Sequence, residues 1–392
     1  MKGYSEVLVA ALATVILAGP FGNRLALAQS EQGAPTQAAQ SVLAPYALKY
    51  EGRVTIRADR TATDVFTQRF KILTPSAIAA VSQQQIRFVE GMETLETLEA
   101  FTEKSDGTKV PIGPANIITR DAASGLQATY MRDQKQRTII FSDVQVGDTL
   151  VMTHRKETKQ SLFPGHFFYS GVFARNQPFS SARVVVEAPN DLDLQVKAIG
   201  PGLTESVENS GASRRHTITL LPQTYLPEEI RAVAPVDRDP VLLISTFKSY
   251  EELGLAYAAA ALSKAVVTPE IAALADEITK GIEDRRQQAA AIDAWMKANI
   301  RYVAVYLSFG RVVPNDAASV LTNKFGDCKD KVTLMAALLA AKGIASEAVL
   351  INFGSAYTLP TPPTMAALNH AILYLPEFDL YDDPTADRKS VV

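Results

Sequence analysis

A single cysteine, Cys328, occurs in the chain, and the residues around it suit a nucleophile. Gly326 supplies a turn, Asp327 is a good N-cap, and Asp330 follows three positions later in a capping-box relation, so a helix is expected to begin at the cysteine. Val332, Met335, Leu338 and Leu339 recur on one face as an apolar stripe, and Lys342 with Gly343 ends the helix. A thiol in that first turn lies among unpaired backbone N–H groups at the positive end of the helix dipole, which favours thiolate over thiol. A thiolate attacks an amide or ester carbonyl to give a thioester, provided a base takes up the proton and later returns it. The competing role for a free cysteine is that of a small buried hydrophobe.

The stretch from Phe325 to Leu339 resembles the nucleophile motif of the transglutaminase-like family, in which Gly-Asp-Cys or Gly-x-Cys opens a helix packed against a small sheet. Upstream, Ile300-Arg301-Tyr302-Val303, Pro314 and the helix-like run from Ala317 to Leu321 match that family's approach to the cysteine. Downstream, Asn369-His370-Ala371-Ile372 and Tyr381-Asp382-Asp383-Pro384-Thr385 look like its histidine and aspartate motifs, in the same order. The likeness runs from about Glu251 to Ala386, and three motifs in order are more specific than any one. It implies a papain-like α+β core with Cys328 as nucleophile, His370 as the base that later protonates the leaving amine, and Asp383 as the group that orients the imidazole. The backbone N–H of Cys328, unpaired at the helix start, is the expected oxyanion donor.

A hairpin must bring the histidine and aspartate together. If Asn369–Leu375 and Phe378–Asp383 are antiparallel strands joined by two residues, His370 lies opposite Asp383. A four-residue turn opposes His370 to Thr385 instead but keeps Asp383 on the same face, and a three-residue loop would favour Asp382. Near the thiol, Asp327 and Asp330 add negative charge that Lys329 and Lys331 oppose, so side-chain directions decide the local field.

The rest of the 392 residues divides by composition. Lys2, the apolar run from Val7 to Ala18 and the small-x-small site Ala26-Leu27-Ala28 make residues 1–28 a cleavable signal peptide, with an N-terminal anchor disfavoured because Gly19-Pro20 ends the run. A periplasmic or secreted location follows, without stable membrane insertion after cleavage. Residues 29–45 read as a flexible leader. Residues 46–228 show many short strand-like runs and turn signals, expected to form a sandwich or a pair of packed sheets. Among them, Leu98–Lys104 and Thr108–Ile112 flank Asp106-Gly107 as one hairpin, and Thr138–Phe141 with Thr149–His154 form a second candidate. This part resembles the β-rich domain of unknown function that often precedes transglutaminase-like cores in exported bacterial proteins. Residues 229–250 read as a connector. Residues 251–392 form the core, whose helices lead to Trp295 as a core residue and whose Phe353–Leu368 segment, rich in proline, is an irregular loop beside the site. The chain stops nine residues after Asp383, where relatives of this type usually continue; if that ending is a truncation, the sheet behind the triad lacks an edge strand.

The fold class expected is therefore α+β, a β-rich sandwich-like domain followed by a transglutaminase-like core. With 39 basic and 42 acidic residues, no long-range field draws the chain to nucleic acid. The short basic clusters Arg214-Arg215-His216 and Arg285-Arg286 read as solvated surface. His154, His166 and His216 lie far apart without ligand spacing, and only His370 falls near Asp383, so neither a metal nor a cofactor is expected. The function expected is an exported cysteine hydrolase or acyltransferase acting on peptide or protein amides, with peptidase or amidase chemistry favoured over cross-linking by analogy with the family. The alternative is a non-catalytic binding or scaffold protein with the same core. Oligomeric state is open.

Overall fold

The computed structural model describes residues 43–122, 133–303 and 312–385. The expected signal peptide, nearly all of the leader and residues 386–392 lie outside the described residues. An eight-stranded sheet runs, edge to edge, as Leu203–Ser210, Ser213–Leu220, Phe179–Pro189, Tyr46–Ile56, Ala62–Ile72, Thr149–Thr158, Glu93–Glu103 and Lys109–Pro111. Its pairings are antiparallel except that of Tyr46–Ile56 with Phe179–Pro189. Alternation is clearest at the centre: along Ala62–Ile72, residues 62, 64, 66, 68, 70 and 72 are buried and their neighbours are not. Gly52, paired with Phe66, leaves room for that ring; a Cβ there would stand 2.3 Å from a ring carbon. A second sheet, Gln83–Val89, Gln134–Ile140 and Ile117–Asp121 in that order, shares the same apolar core through Ile86 and Ile139. The N-terminal part is thus β-rich, as expected.

One expected hairpin forms and one does not. Phe101, Thr102 and Glu103 pair with Pro111, Val110 and Lys109 around Gly107, whose φ is +88°. Gln134–Ile140, however, pairs with Gln83–Val89 and Ile117–Asp121, whereas Thr149–Thr158 pairs with Ala62–Ile72 and Glu93–Glu103. The link between them carries the chain from one sheet to the other. It is fixed by buried Asp148, which accepts from Lys104 Nζ at 2.7 Å and from the Gln145 N–H at 2.8 Å. Alternation marks a strand but does not name its partner.

Residues 229–250, read as a connector, hold more order than that. After a one-turn helix, Pro235–Arg238, the run Val241–Ser245 is buried throughout and forms the middle strand of a three-stranded sheet between Gln195–Ile199 and Phe168–Val172. Its side chains alternate between two surroundings. Leu242 and Ile244 join the β-rich core, while Val241 and Leu243 meet Ala366 of the later domain.

The second domain begins with helices Tyr250–Leu262, Pro269–Ile278 and Arg285–Asn299, each started by a side-chain cap from Ser249, Thr268 or Asp284. Trp295 packs partly buried against the domain core, with Lys324 Nζ 5.2 Å from its ring centre. Arg301–Tyr302, within the Ile300–Val303 motif, runs parallel to Phe325–Gly326. Helix Ala317–Asn323 leads through Lys324, whose φ is +59°, into the cysteine helix, Cys328–Ala341. A three-stranded antiparallel sheet completes the domain: Glu347–Ile351, then His370–Leu375 in the middle, then Leu380–Asp382.

The cysteine helix is buried on every side from Cys328 to Leu339, not along one stripe. Helices pack around it and the histidine strand lies against it, so even Lys329, Asp330 and Lys331 are enclosed. Its C-terminus is a Schellman motif: Gly343 N–H donates to Ala340 and Ile344 N–H to Leu339, with Gly343 at φ +68°. No described helix is long and apolar enough to cross a membrane.

Candidate active site

Cys328 is the first residue of its helix, as the capping pattern requires. Asp327 accepts from the Asp330 N–H, and the Asp330 carboxylate accepts from the Asp327 N–H, closing a capping box. Asp330 also fixes the preceding loop, accepting from Asn315 N–H at 2.8 Å and Asn315 Nδ2 at 3.1 Å. Close approach makes this possible at Gly326, where a Cβ would stand 2.7 Å from the Asp330 Cβ. The two acidic side chains near the thiol are therefore committed elsewhere, Asp327 also to a buried contact with Lys329 Nζ. Burial drives the Asp327 pKa up against the pull of Lys329, and the Lys329 pKa rises because Asp327, Asp330 and Cys328 outweigh its own burial. The phenol of Tyr257 is buried against the same group without a hydrogen-bond partner among the described residues. Burial, then the charges of Cys328, Asp327 and Asp330, hold it protonated well above the usual range.

The histidine and aspartate meet through the four-residue alternative. Pro376–Phe378 form a 3₁₀ turn, Asp379 takes φ +48°, and Leu375, Tyr374 and Leu373 oppose Leu380, Tyr381 and Asp382. Extending that register sets His370 against Thr385 and leaves Asp383 on its face. His370 Nε2 lies 2.9 Å from Asp383 Oδ2 and 3.3 Å from Thr385 Oγ1. Thr385 in turn braces Asp383, donating to its Oδ1 from Oγ1 at 2.6 Å and from N–H at 2.9 Å. Burial opposes charge on His370, but hydrogen bonds to Asp383 and Cys328, and their charges, lift its pKa to about 9. Burial likewise opposes charge on Asp383, and the bonds from His370 and Thr385 override it and lower that pKa. With Nε2 engaged by Asp383, Nδ1 is the nitrogen left for the Cys328 sulfur. His370 and Asp383 thus form a bonded relay, and the packing of the histidine strand on the cysteine helix brings it beside Cys328; Cys328 and His370 are both almost wholly buried.

Asp382 points to the other side. It sits with Asp293 and Lys297, whose ammonium is 2.7 Å from Asp293 and 3.9 Å from Asp382. Burial, then the neighbouring Asp293 charge, push the Asp382 pKa up to about 6. Lys331 is enclosed nearby, its pKa lowered by burial against the attraction of Asp293 and Asp383.

The other three histidines are separate from this site. His154 is buried in the large sheet, where burial and then Lys156 lower its pKa to about 4. His166 stacks on Phe247 with centroids 4.1 Å apart, and His216 Nδ1 lies 2.8 Å from Glu205. The basic clusters lie at the surface, as expected, and two of their arginines also make ion pairs there: Arg215 reaches Glu187 at 2.7 Å, and Arg285 grips Glu377 at 2.6 and 2.8 Å.

Sequence reasoning missed the residues that hold the relay in place. Asn315, Thr385 and Asn369 lack the titratable chemistry that draws attention, although Thr385, two residues after Asp383, is at Asx-turn spacing. Asn369 clamps Phe353, its Oδ1 accepting from the Phe353 N–H at 2.6 Å and its Nδ2 donating to the Phe353 carbonyl at 3.1 Å. The Phe353 ring then lies 5.3 Å from the His370 ring. Beyond it, the irregular segment is anchored: Asp237 accepts from the N–H groups of Tyr357 and Thr358, Tyr250 Oη donates to Pro360, and Thr364 to Leu368 are buried.

Two family models match the sequence. Residues 58–223 match a domain of unknown function with solved structure, DUF3857, and residues 272–364 match the transglutaminase-like superfamily. The second match includes Cys328 and ends before His370 and Asp383. No curated protein matches the chain. Among solved structures, a "putative protease" from Parabacteroides distasonis superposes with a TM-score of 0.74 at 16% identity, over 87% of this chain and 68% of that one, which establishes a shared fold. A "putative cysteine protease" from Cytophaga hutchinsonii covers 83% of this chain and 76% of its own at 12% identity, but its TM-score of 0.24 supports no structural argument.

Proposed function

From a chain that carries a DUF3857 domain followed by a transglutaminase-like core, we propose an exported cysteine hydrolase of peptide or protein amides, with Cys328, His370 and Asp383 as its catalytic triad. The observation that carries this reading is the His370–Asp383 bond on a strand packed against the buried helix that Cys328 begins. The Cys328 sulfur attacks the amide carbonyl, forming a C–S bond, while the helix-start N–H of Cys328 stabilises the oxyanion. Nδ1 of the His370 imidazolium gives its proton to the amide nitrogen, the C–N bond breaks, and a thioester remains. His370 then takes a proton from water as it attacks; the C–S bond breaks and the acid is released. Asp383 holds the imidazole in place and balances its charge throughout. Export rests on residues 1–28, and in an oxidising compartment a lone thiol kept despite the risk of oxidation favours a catalytic role for Cys328.

The test uses p-nitrophenyl acetate, a small activated ester. The mature protein should release a burst of nitrophenolate equal to the enzyme present, and intact and peptide mass should locate the acetyl group on Cys328. Cys328→Ala and His370→Ala should each lose the burst while keeping the circular-dichroism spectrum. A full burst in either folded variant would overturn the triad.

A further inference from the structure

We infer that Phe353 is a specificity-determining residue that receives the side chain on the leaving-amine half of the substrate and selects apolar or aromatic groups there. This rests on the triad proposed above. Phe353 is 74% exposed, so it adds little to the core, yet its backbone is held at both N–H and C=O by Asn369, the neighbour of His370. An exposed aromatic that is also fixed in position presents contact area at little cost in ordering. Its place is informative because of what His370 must do. The imidazole delivers its proton to the departing nitrogen, so the substituent on that nitrogen lies against the imidazole and whatever flanks it. The flanking group is the Phe353 ring, 5.3 Å from the imidazole centroid and tilted 47° to it. Its open face suits an apolar or aromatic side chain, as the preferred offset and tilted packing of aromatic groups requires. Rigidity extends beyond the ring, since Asn352 Nδ2 donates to the Ala367 carbonyl at 2.9 Å and ties the start of the segment to its buried end.

By microscopic reversibility, an amine that attacks the acyl-enzyme occupies the site a leaving amine vacates. Its nitrogen forms a C–N bond to the thioester carbonyl, its proton passes to His370 Nδ1, and the C–S bond breaks to return the Cys328 thiolate. The acetyl-enzyme formed with p-nitrophenyl acetate is therefore mixed with phenylalaninamide or glycinamide, and the ratio of N-acetylated amide to acetate is measured for each. Phenylalaninamide should be favoured by roughly tenfold in the wild type, and the preference should fall to within about twofold in Phe353→Ala and persist in Phe353→Leu. Comparing the two amines within each variant cancels their intrinsic reactivity and any general loss of activity. No wild-type burst would overturn the triad, and this assignment with it. A wild-type burst with no preference, or with an equal preference in Phe353→Ala, would overturn the assignment and leave the triad standing. A burst lost only in Phe353→Ala would place the ring in acylation, which also overturns it.

Discussion

Asp382 and Asp383 are adjacent in the chain but are held in opposite protonation regimes: Asp383 faces His370 with a lowered pKa, whereas Asp382 faces Asp293 and Lys297 with its pKa raised to about 6. Period-two geometry separates them, and burial acts on both. The difference lies in the partners, since only Asp383 receives hydrogen bonds from an imidazole and a threonine. Asp383→Asn is therefore expected to slow acylation by about 10²-fold or more, as loss of a positioned acid–base partner does. Asp382→Asn should alter it by only a few-fold. Burst rates with p-nitrophenyl acetate read both, and the reverse order would assign the orienting role to Asp382.

The pH dependence follows from His370. Its folded pKa of about 9 lies above the ordinary value of 6.5, so its contribution to stability is fully present below about 6.5 and is lost as pH rises through about 9. The same proton is the one given to a leaving amine, so turnover of an amide substrate should fall on the alkaline side with a midpoint near 9. Asp383→Asn should move that midpoint down. Imidazole titration by NMR checks the assignment independently of turnover.

Lys329 should prove structurally indispensable. It is enclosed beside Asp327, and its removal strands a buried carboxylate at the helix cap. Lys329→Ala is expected to cost about 3–5 kcal/mol in denaturant unfolding. Lys329→Met combined with Asp327→Asn should recover most of that loss, because Asn still caps a helix and no charge is left unpaired. Failure of the double variant to recover would show that the pair is needed as a pair.

Asp64, far from the site on the large sheet, offers a test of burial set against neighbouring charge. Burial raises its pKa to about 6 against the attraction of Lys156, and its Oδ1 has no hydrogen-bond partner among the described residues. Its folded pKa exceeds its unfolded one, so the protein loses stability as pH rises from about 4 to above 6, on the order of 3 kcal/mol for this residue. Asp64→Asn removes that slope. The change in Tm caused by the substitution should be more favourable at pH 8 than at pH 4.5, and the opposite sign would show that Lys156 dominates.

How much of this was legible in the sequence depends on whether the signal was local. The cap at Asp327, the capping box with Asp330 and the stop at Gly343 act within one turn, and all can be read from residue types. Parity did the same for the hairpin, because two- and four-residue turns both put Asp383 beside His370. The wrong pairing of Thr138–Phe141 with Thr149–His154 arose because a strand's partner is chosen by tertiary packing. The enclosure of the cysteine helix was hidden for a related reason. Lys329, Asp330 and Lys331 look like a solvated face until Asp327 and Asn315 are found holding the first two. Val241–Ser245 was concealed by the prolines around it, although four apolar residues in a row, Val241 to Ile244, suit a strand covered on both faces.

That strand bears on how such a protein could be assembled from modules. Because alternate residues of Val241–Ser245 serve the two domains, a transglutaminase-like core grafted at residue 251 onto a foreign partner would leave behind the strand that Ala366 rests on. The graft would carry an uncovered apolar patch. A graft that keeps Ala366 covered has to carry this strand with it.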